Sequence, residues 1–507
     1  MVFGDHSFTY AEVEANVNQA AAMLAAKGVK AGDRIGVMSL NHPSTVCLFL
    51  GLARLGAIMS PANPDYGVEE ARYVLTHAQV SGIVSAPSAL ETVQAVAAGM
   101  SPKPWLMVNE RCDADLPVLE EEIARFAGKS VPETGTPDST CVFIYTSGTT
   151  GFPKGVMHSQ RTIVLAGEGF VERMYLQPED RLLCIMPMFH VNAICYSLTG
   201  SIAAGARLVL EPRFSASRFW PVVKEQGITE VNTIAAVMNI LMRRPRSEFI
   251  SGHKLTKLYG APFSEETYRI WNDEFGVPTL IEGFGMSEVP GTLNNPFPGP
   301  HRIGSMGKPS LHPDHSVAFA EMKVVDDEGN EVRDGETGEL YVRTPIVMQG
   351  YWRQPEQTAD AFKDGWFKTG DLGRRDEDGY FWFVARKKDI IRKRGENISG
   401  AELDRVIGDH PDVLEAAAIP VPADLGEDDI LVVVVPKQGA TLDAQTVAQW
   451  CRERLAPIKV PRYVLFADSL PHTPTHRVAK FKLREQKDLK ARAVDLEKGN
   501  GGRSQQR

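Results

Sequence analysis

Cysteine is scarce and scattered: the 507-residue chain has six (Cys47, Cys112, Cys141, Cys184, Cys195 and Cys451), with no C-x-x-C pair and no histidines gathered around them. That spacing argues against a zinc site and a disulfide framework, and for reduced thiols in a cytoplasmic setting. Positive charge is not in excess either. The formal net charge is −9, so the sequence gives no reason to expect nucleic acid as a partner, although a local basic groove for an anionic nucleotide stays open. Long apolar runs are missing: the richest stretch, Val46 to Met59, is interrupted by Arg54 and is too short to cross a bilayer. The opening MVFGDHSFTY has no basic segment leading into an apolar core. Neither an integral membrane segment nor a secretory signal is expected. There are no internal repeats. What remains is 43% apolar content, ordinary for a well-cored globular protein, in a length that suits roughly two to four domains.

Strand-like and helix-like text alternates through the first part of the chain. Thr9-Tyr10-Ala11-Glu12 has capping-box spacing, Val13, Val17, Ala20, Ala21 and Leu24 follow on one helical face, and Gly28 closes the helix. RIGVMS (34–39) and SGIVSA (81–86) read as strands, each followed by helical text. This alternation predicts an α/β fold with largely parallel sheets.

A further buried strand, CVFIY (Cys141 to Tyr145), empties into a loop of hydroxyls, glycines, one proline and one lysine. Gly148, Gly151 and Gly155 are expected to take positive φ and let the backbone approach a ligand closely. Consecutive N–H groups in such a loop form a concavity for anionic oxygens. Ser147, Thr149 and Thr150 add hydroxyl donors, and Lys154 adds a mobile positive charge. The composition suits a polyphosphate. It is not the Walker loop, G-x-x-x-x-G-K-[ST], because Lys154 follows Pro153 and precedes a glycine.

YTSGTTGFPKGV (145–156) closely resembles the phosphate-binding signature of the adenylate-forming superfamily, which holds acyl-CoA synthetases, luciferases and peptide-synthetase adenylation domains. LYGAPFS (258–264), EGFGMSE (282–288), GWFKTGDLG (365–373) and FVARKKDIIRKRGENISGAEL (383–403) carry the same resemblance in the family's order, and together it spans about Thr9 to Arg484. It implies a large N-terminal domain of layered α/β sheets over 1–387 and a small mobile α+β C-terminal domain over 388–507, whose text after about residue 485 reads as a frayed tail. In that domain LEAAAIPV and ILVVVVP read as strands, Val447, Trp450, Cys451 and Leu455 make a helical stripe, and Ser399 with Glu402 has capping-box spacing.

The resemblance also implies ATP, Mg²⁺ and CoA as a co-substrate, acting on a small-molecule carboxylic acid. Thr146, Ser147, Gly148, Thr149, Thr150, Gly151 and Lys154 match the phosphate loop. The backbone of Gly260, Ala261 and Pro262 would lie against adenine; Glu282, Gly283, Phe284, Gly285, Met286 and Ser287 match the next nucleotide segment, with Phe284 offering a ring to the base and Ser287 a hydroxyl to phosphate. Glu288 would supply a hard carboxylate oxygen to Mg²⁺. Asp371 would accept the ribose hydroxyls, with Arg386 the second ribose contact and Phe383 beside the nucleotide. Lys388 falls at the family's hinge, and Gly395, Glu396 and Asn397 lie where its turn approaches the phosphopantetheine tunnel.

His190, in PMFHVNA, matches an aromatic-His pair at the floor of the carboxylate pocket, with Asn192 and Ala236 as candidate acyl-pocket linings. No aspartate stands beside it as in domains for α-amino acids, so a substrate without a free α-amino group is expected, and an aliphatic acid of modest size fits the small linings. One segment departs from the family. LPHTPTHRVAK (470–480) has His476-Arg477 where a Gly-Lys pair is usual, leaving Arg477 and Lys480 as alternatives for the catalytic cation, with the reading favouring Lys480. The implied activity is an AMP-forming acid–CoA ligase; IEGFGMSE and RGENIS look somewhat like carnitine/crotonobetaine–CoA ligases. The alternatives are a stand-alone adenylation enzyme loading a carrier protein and a nucleotide-binding protein with weakened catalysis. The sequence sets no oligomeric state; a homodimer is the default expectation.

Overall fold

The computed structural model describes residues 1–146, 153–393, 396–423, 427–472 and 478–497. The chain divides into two compact units, one of residues 1–322 and 342–367, the other of 323–341 and 368–507.

The first unit carries two sheets among the described residues, one of nine strands and one of seven. In the seven-stranded sheet, Thr140–Thr146 runs parallel to Ile58–Pro61, which pairs with Arg34–Met38 and, through it, Gly82–Ser85. These strands are buried along almost their whole length, which is why they read as continuous apolar runs rather than as alternating ones. The nine-stranded sheet is parallel from Val2–Phe3 through Thr279–Met286, then turns back antiparallel at Val289–Asn294. The first helix, Tyr10–Ala26, starts with the expected reciprocal cap between Thr9 and Glu12, and Gly28 follows its end at φ +83°.

The second unit is built on a four-stranded sheet buried on both faces. Strand Asp428–Pro436 pairs antiparallel with Val413–Pro422 and parallel with Tyr463–Phe466. Leu431, Val433 and Val435 point to one side, into a core with Leu483 and Leu489; Val432 and Val434 point to the other, into a core with Ile407, Val447 and Cys451. Period-two alternation therefore produces an unbroken ILVVVV run because both faces are covered.

Three expectations need correction here. The chain after residue 485 is not a frayed tail as far as residue 497: Leu489–Arg492 is helical, Val494–Asp495 pairs with Tyr463–Phe466, and Leu489 and Leu496 are 4% and 6% exposed. Polar composition hid two apolar anchors, one for each face of the sheet. Leu496→Ala is expected to cost about 2–4 kcal/mol, read as a lower denaturant midpoint for this unit. Second, the Ser399 cap is only half a box. Ser399 Oγ accepts from the Glu402 amide at 3.1 Å, but the Glu402 carboxylate bonds the Lys459 ammonium at 2.7 and 2.9 Å, a stronger charged partner than the cap amide. Third, the contacts divide the chain at 367/368, not at 387/388. Strand Trp366–Arg375 runs antiparallel to Phe381–Arg386, Leu340 packs against Gly373, and Lys387 bonds Asp327 and Glu339 at 2.9 and 3.0 Å, tying 323–341 to 368–387, while Ser399 Oγ donates to the Val384 carbonyl at 2.8 Å and joins that pair to the rest of the second unit.

Candidate active site

In the first unit, Thr146 lies directly opposite Lys154 across the antiparallel pair Thr140–Thr146 and Lys154–Ser159. The loop residues Ser147, Gly148, Thr149, Thr150 and Gly151 lie outside the described residues. Gly155 does not take positive φ: it is a strand residue, and a Cβ there would come 3.2 Å from the Tyr145 ring. Its glycine fits close packing against Tyr145 rather than a need of backbone handedness.

A tyrosine that no motif announced brings the phosphate lysine and the candidate metal carboxylate together. Strand Gly350–Tyr351 pairs with Lys154–Ser159, opposing Tyr351 to Val156. The Lys154 ammonium sits 4.5 Å from the Tyr351 ring centroid, a cation–π distance, and the Tyr351 hydroxyl donates to Glu288 Oε1 at 2.8 Å. Burial, and then the Glu288 charge, push the Tyr351 phenol far above its ordinary range, so it remains a donor. Glu288 is 8% exposed and sits at the turn between strands Thr279–Met286 and Val289–Asn294. One carboxylate fits Mg²⁺, which takes few protein oxygens and completes its octahedron with phosphate and water.

His158, four residues along from Lys154, fixes the neighbouring turn. Its Nε2 donates to the Ser287 carbonyl at 2.6 Å, because a carbonyl only accepts. Burial pushes its pKa down to about 4. The folded protein therefore refuses a proton that the unfolded chain binds below its ordinary value of 6.5. The stability this contributes is complete above about pH 6.5 and is lost toward pH 4 at about 1.4 kcal/mol per pH unit. Thermal midpoints at pH 7.5 and 5.0 are expected to differ less in His158→Gln than in the wild type; an equal gap would remove His158 as a cause.

Glu282 clamps two backbone segments. Its Oε1 accepts from the Phe263 amide at 2.8 Å and its Oε2 from the Gly304 amide at 2.9 Å. That clamp holds the Gly260-Ala261-Pro262 segment, where Ala261 and Pro262 are exposed and the Ala261–Pro262 bond is cis. The next segment emerges from the sheet: Gly283 is buried, Phe284, Met286 and Ser287 are half-buried, and Gly285 is exposed at a register shift in the strand. His190 and Asn192 are half-buried, His190 just before and Asn192 at the start of the π-helix Asn192–Leu198, and Ala236 is half-buried in helix Ala235–Arg243.

In the second unit, Asp371 and Arg386 are direct partners in the strand register, with Arg386 Nε 3.4 Å from Asp371 Oδ1. Phe383 opposes Gly373 on the same ladder and is 42% exposed. Lys388 lies in the short turn Lys387–Asp389, and Glu396 and Asn397 lie on a strand paired with Ile390–Lys393. Gly395 and Arg477 lie outside the described residues. Lys480 is already engaged: its ammonium is 2.5 Å from Asp404 Oδ2 and its side chain is 12% exposed.

The model of the AMP-binding enzyme family matches residues 1–352, and that of the AMP-binding enzyme C-terminal domain matches 402–477. The chain belongs to the AMP-binding enzyme family. Among its relatives is a sulfoacetate–CoA ligase of Cupriavidus necator, 31% identical over 94% of this chain and 92% of that one. Another is the long-chain-fatty-acid–CoA ligase FadD13 of Mycobacterium tuberculosis, 31% identical over 95% of this chain and 93% of that one. Among solved structures, ATP-bound MatB from Rhodopseudomonas palustris superposes with a TM-score of 0.84 at 28% identity, covering 95% of this chain and 94% of that one. The protein is an acid–thiol ligase, AMP-forming, with ATP and CoA as co-substrates. Among the described residues of the ligase, no helix is long and apolar enough to cross a membrane.

Proposed function

We propose that the ligase activates a small carboxylic acid in which no α-amino group is recognised, using ATP–Mg²⁺, and passes the acyl group to CoA. A carboxylate is a poor electrophile, already negative and resonance-stabilised. One of its oxygens attacks the α-phosphorus of ATP, the bond to the bridging oxygen breaks, and pyrophosphate leaves with the electron pair. The CoA thiolate then adds to the acyl carbon and AMP departs, the thiol proton going to solvent.

The attack drives one anion onto a polyanion, so positioning and charge neutralisation dominate. Lys154 supplies mobile positive charge beside the phosphate loop. Glu288, oriented by the Tyr351 hydroxyl, would hold Mg²⁺. When bound, that ion would neutralise charge on the leaving pyrophosphate. Asp371, with Arg386 already against it, accepts the ribose hydroxyls. His190 orients the substrate carboxylate. Because Lys480 is bound to Asp404, the reading favouring it as catalytic cation gives way to Arg477. Lys388 is the expected hinge that lets the second half-reaction follow the first.

The observation that supports this most directly is the Lys154–Tyr351–Glu288 linkage, which joins a phosphate cation to a metal carboxylate. Its relatives act on acids as different as sulfoacetate and long-chain fatty acids, so the acid is named by assay. The test is AMP release from ATP and Mg²⁺ across short aliphatic, aryl, dicarboxylic, sulfonic and betaine-type acids, each with and without CoA. AMP that depends on one acid and on CoA together is the expected result; AMP that ignores CoA would overturn the second step.

A further inference from the structure

Helix Val68–Ala78, in the first unit, reaches the two strands that carry Thr146 and Lys154. Its Tyr73 and His77 are half-buried and stand four residues apart on one face, their rings stacked at 5.4 Å with an interplanar angle of 9°. The Tyr73 hydroxyl donates to the Pro153 carbonyl at 3.0 Å. That carbonyl belongs to the planar peptide unit whose nitrogen is that of Lys154, so the bond fixes the backbone from which the lysine starts. His77 Nδ1 shares a hydrogen bond with the Tyr145 hydroxyl at 2.9 Å, and Tyr145 immediately precedes Thr146. Across the strand pair Tyr145 opposes Gly155, as Thr146 opposes Lys154.

The same end of the helix is itself pinned. The last carbonyls of a helix lack a partner within it and need one from elsewhere. Here the Trp352 indole donates to the His77 carbonyl at 3.0 Å, and the Arg34 guanidinium donates to those of Ala78 and Gln79 at 3.0 and 2.9 Å. Arg34 also lies 5.6 Å from the Trp352 ring centroid. Trp352 directly follows Tyr351, the residue that links Lys154 to Glu288, and its own amide donates to the Gly155 carbonyl at 2.8 Å. One turn of helix thus meets the strand ending at Thr146, the strand starting at Lys154 and the residue beside Tyr351. Apolar side chains would fill the same space; hydrogen-bonded ones also fix orientation, which charge neutralisation at a phosphate requires.

We propose that Tyr73 and His77 are positioning residues for adenylation, holding Thr146 and Lys154 where the triphosphate of ATP needs them. The inference rests on the ligase reading above. A misplacement of about 1 Å at a group far from the chemistry can slow a reaction strongly. The first half-reaction is exposed to that loss, because the carboxylate attacks beside a polyphosphate. In the second, pyrophosphate has left, and thioester formation is indifferent to where Lys154 sits. Burial, and then the Arg353 charge, push His77 below its ordinary pKa, so its ring is neutral at pH 7 and adds no charge of its own.

The experiment measures acid-dependent ATP–pyrophosphate exchange and, separately, thioester formation from a presynthesised acyl-adenylate and CoA. The full chain is compared as wild type, Tyr73→Phe, His77→Leu and His77→Asn. Tyr73→Phe keeps the ring on His77 and removes the bond to Pro153. Its kcat/KM for ATP in the exchange is expected to fall about tenfold, with the KM for the acid and the thioester rate within about twofold of wild type. His77→Leu is expected to do the same, and His77→Asn, whose amide can reach the place of Nδ1, to recover part of the loss. Thermal midpoints report any loss of fold. A fall shared equally by both half-reactions, or exchange unchanged in Tyr73→Phe or in His77→Leu, overturns the inference and leaves the ligase reading intact. No exchange by the wild type with any acid of the panel overturns both.

Discussion

Glu288→Gln is expected to lower the acid-dependent rate of pyrophosphate release by about 10²–10³-fold at saturating Mg²⁺. Glutamine keeps an oxygen to accept the Tyr351 hydroxyl, now at 2.8 Å, so the local packing survives and only the charge is lost. Tyr351→Phe should cost less, roughly tenfold, because the carboxylate stays but is no longer oriented. Its ring also remains under the Lys154 ammonium, which preserves the position of that cation. Pyrophosphate release by Glu288→Gln within fivefold of wild type would remove Glu288 from the metal role.

The second large effect separates two cations three residues apart in sequence. Arg477→Ala is expected to reduce adenylation about 10²–10³-fold, as removal of a charge-stabilising donor does, while thioester formation from a presynthesised acyl-adenylate persists. Arg477→Lys should restore part of the loss. Lys480→Met should behave differently. Asp404 would lose the cation 2.5 Å away, and its carboxyl, already pushed up by burial, would keep only the Ala418 amide at 2.6 Å. The expected result is a stability loss of about 3 kcal/mol, the lower end for a buried pair because the Asp404 side chain keeps 26% exposure. Folded Lys480→Met protein, assayed at low temperature, should still adenylate. Normal stability with lost adenylation in Lys480→Met would exchange the two roles.

Asp404 also bears on a choice that spacing alone left open. Lys480 is a lysine near the family's lysine position, and in one dimension it is interchangeable with Arg477. Only the fold brings in Asp404, from 76 residues earlier, to occupy its charge. Glu282 is a similar case: inside a nucleotide motif it reads as a binding residue, and only the fold shows that its two oxygens also accept from the Phe263 and Gly304 amides. Residues 486–497 read as tail because two leucines among polar residues carry no periodic signal, yet each has a sheet face to cover.

What the sequence determined by itself was whatever is encoded locally and in order: buried strands as unbroken apolar runs, the Thr9–Glu12 cap, the phosphate-loop composition, and the succession of motifs that marks the family. These depend on neighbours within a few residues, where side-chain type and backbone preference act directly. The tertiary structure alone decided which charges meet. Tyr351 beneath Lys154 and against Glu288, and His158 on the Ser287 carbonyl, join segments far apart in the chain. Such contacts follow from strand register and helix placement, and the electrostatics of a buried site depend on distances that no one-dimensional pattern contains.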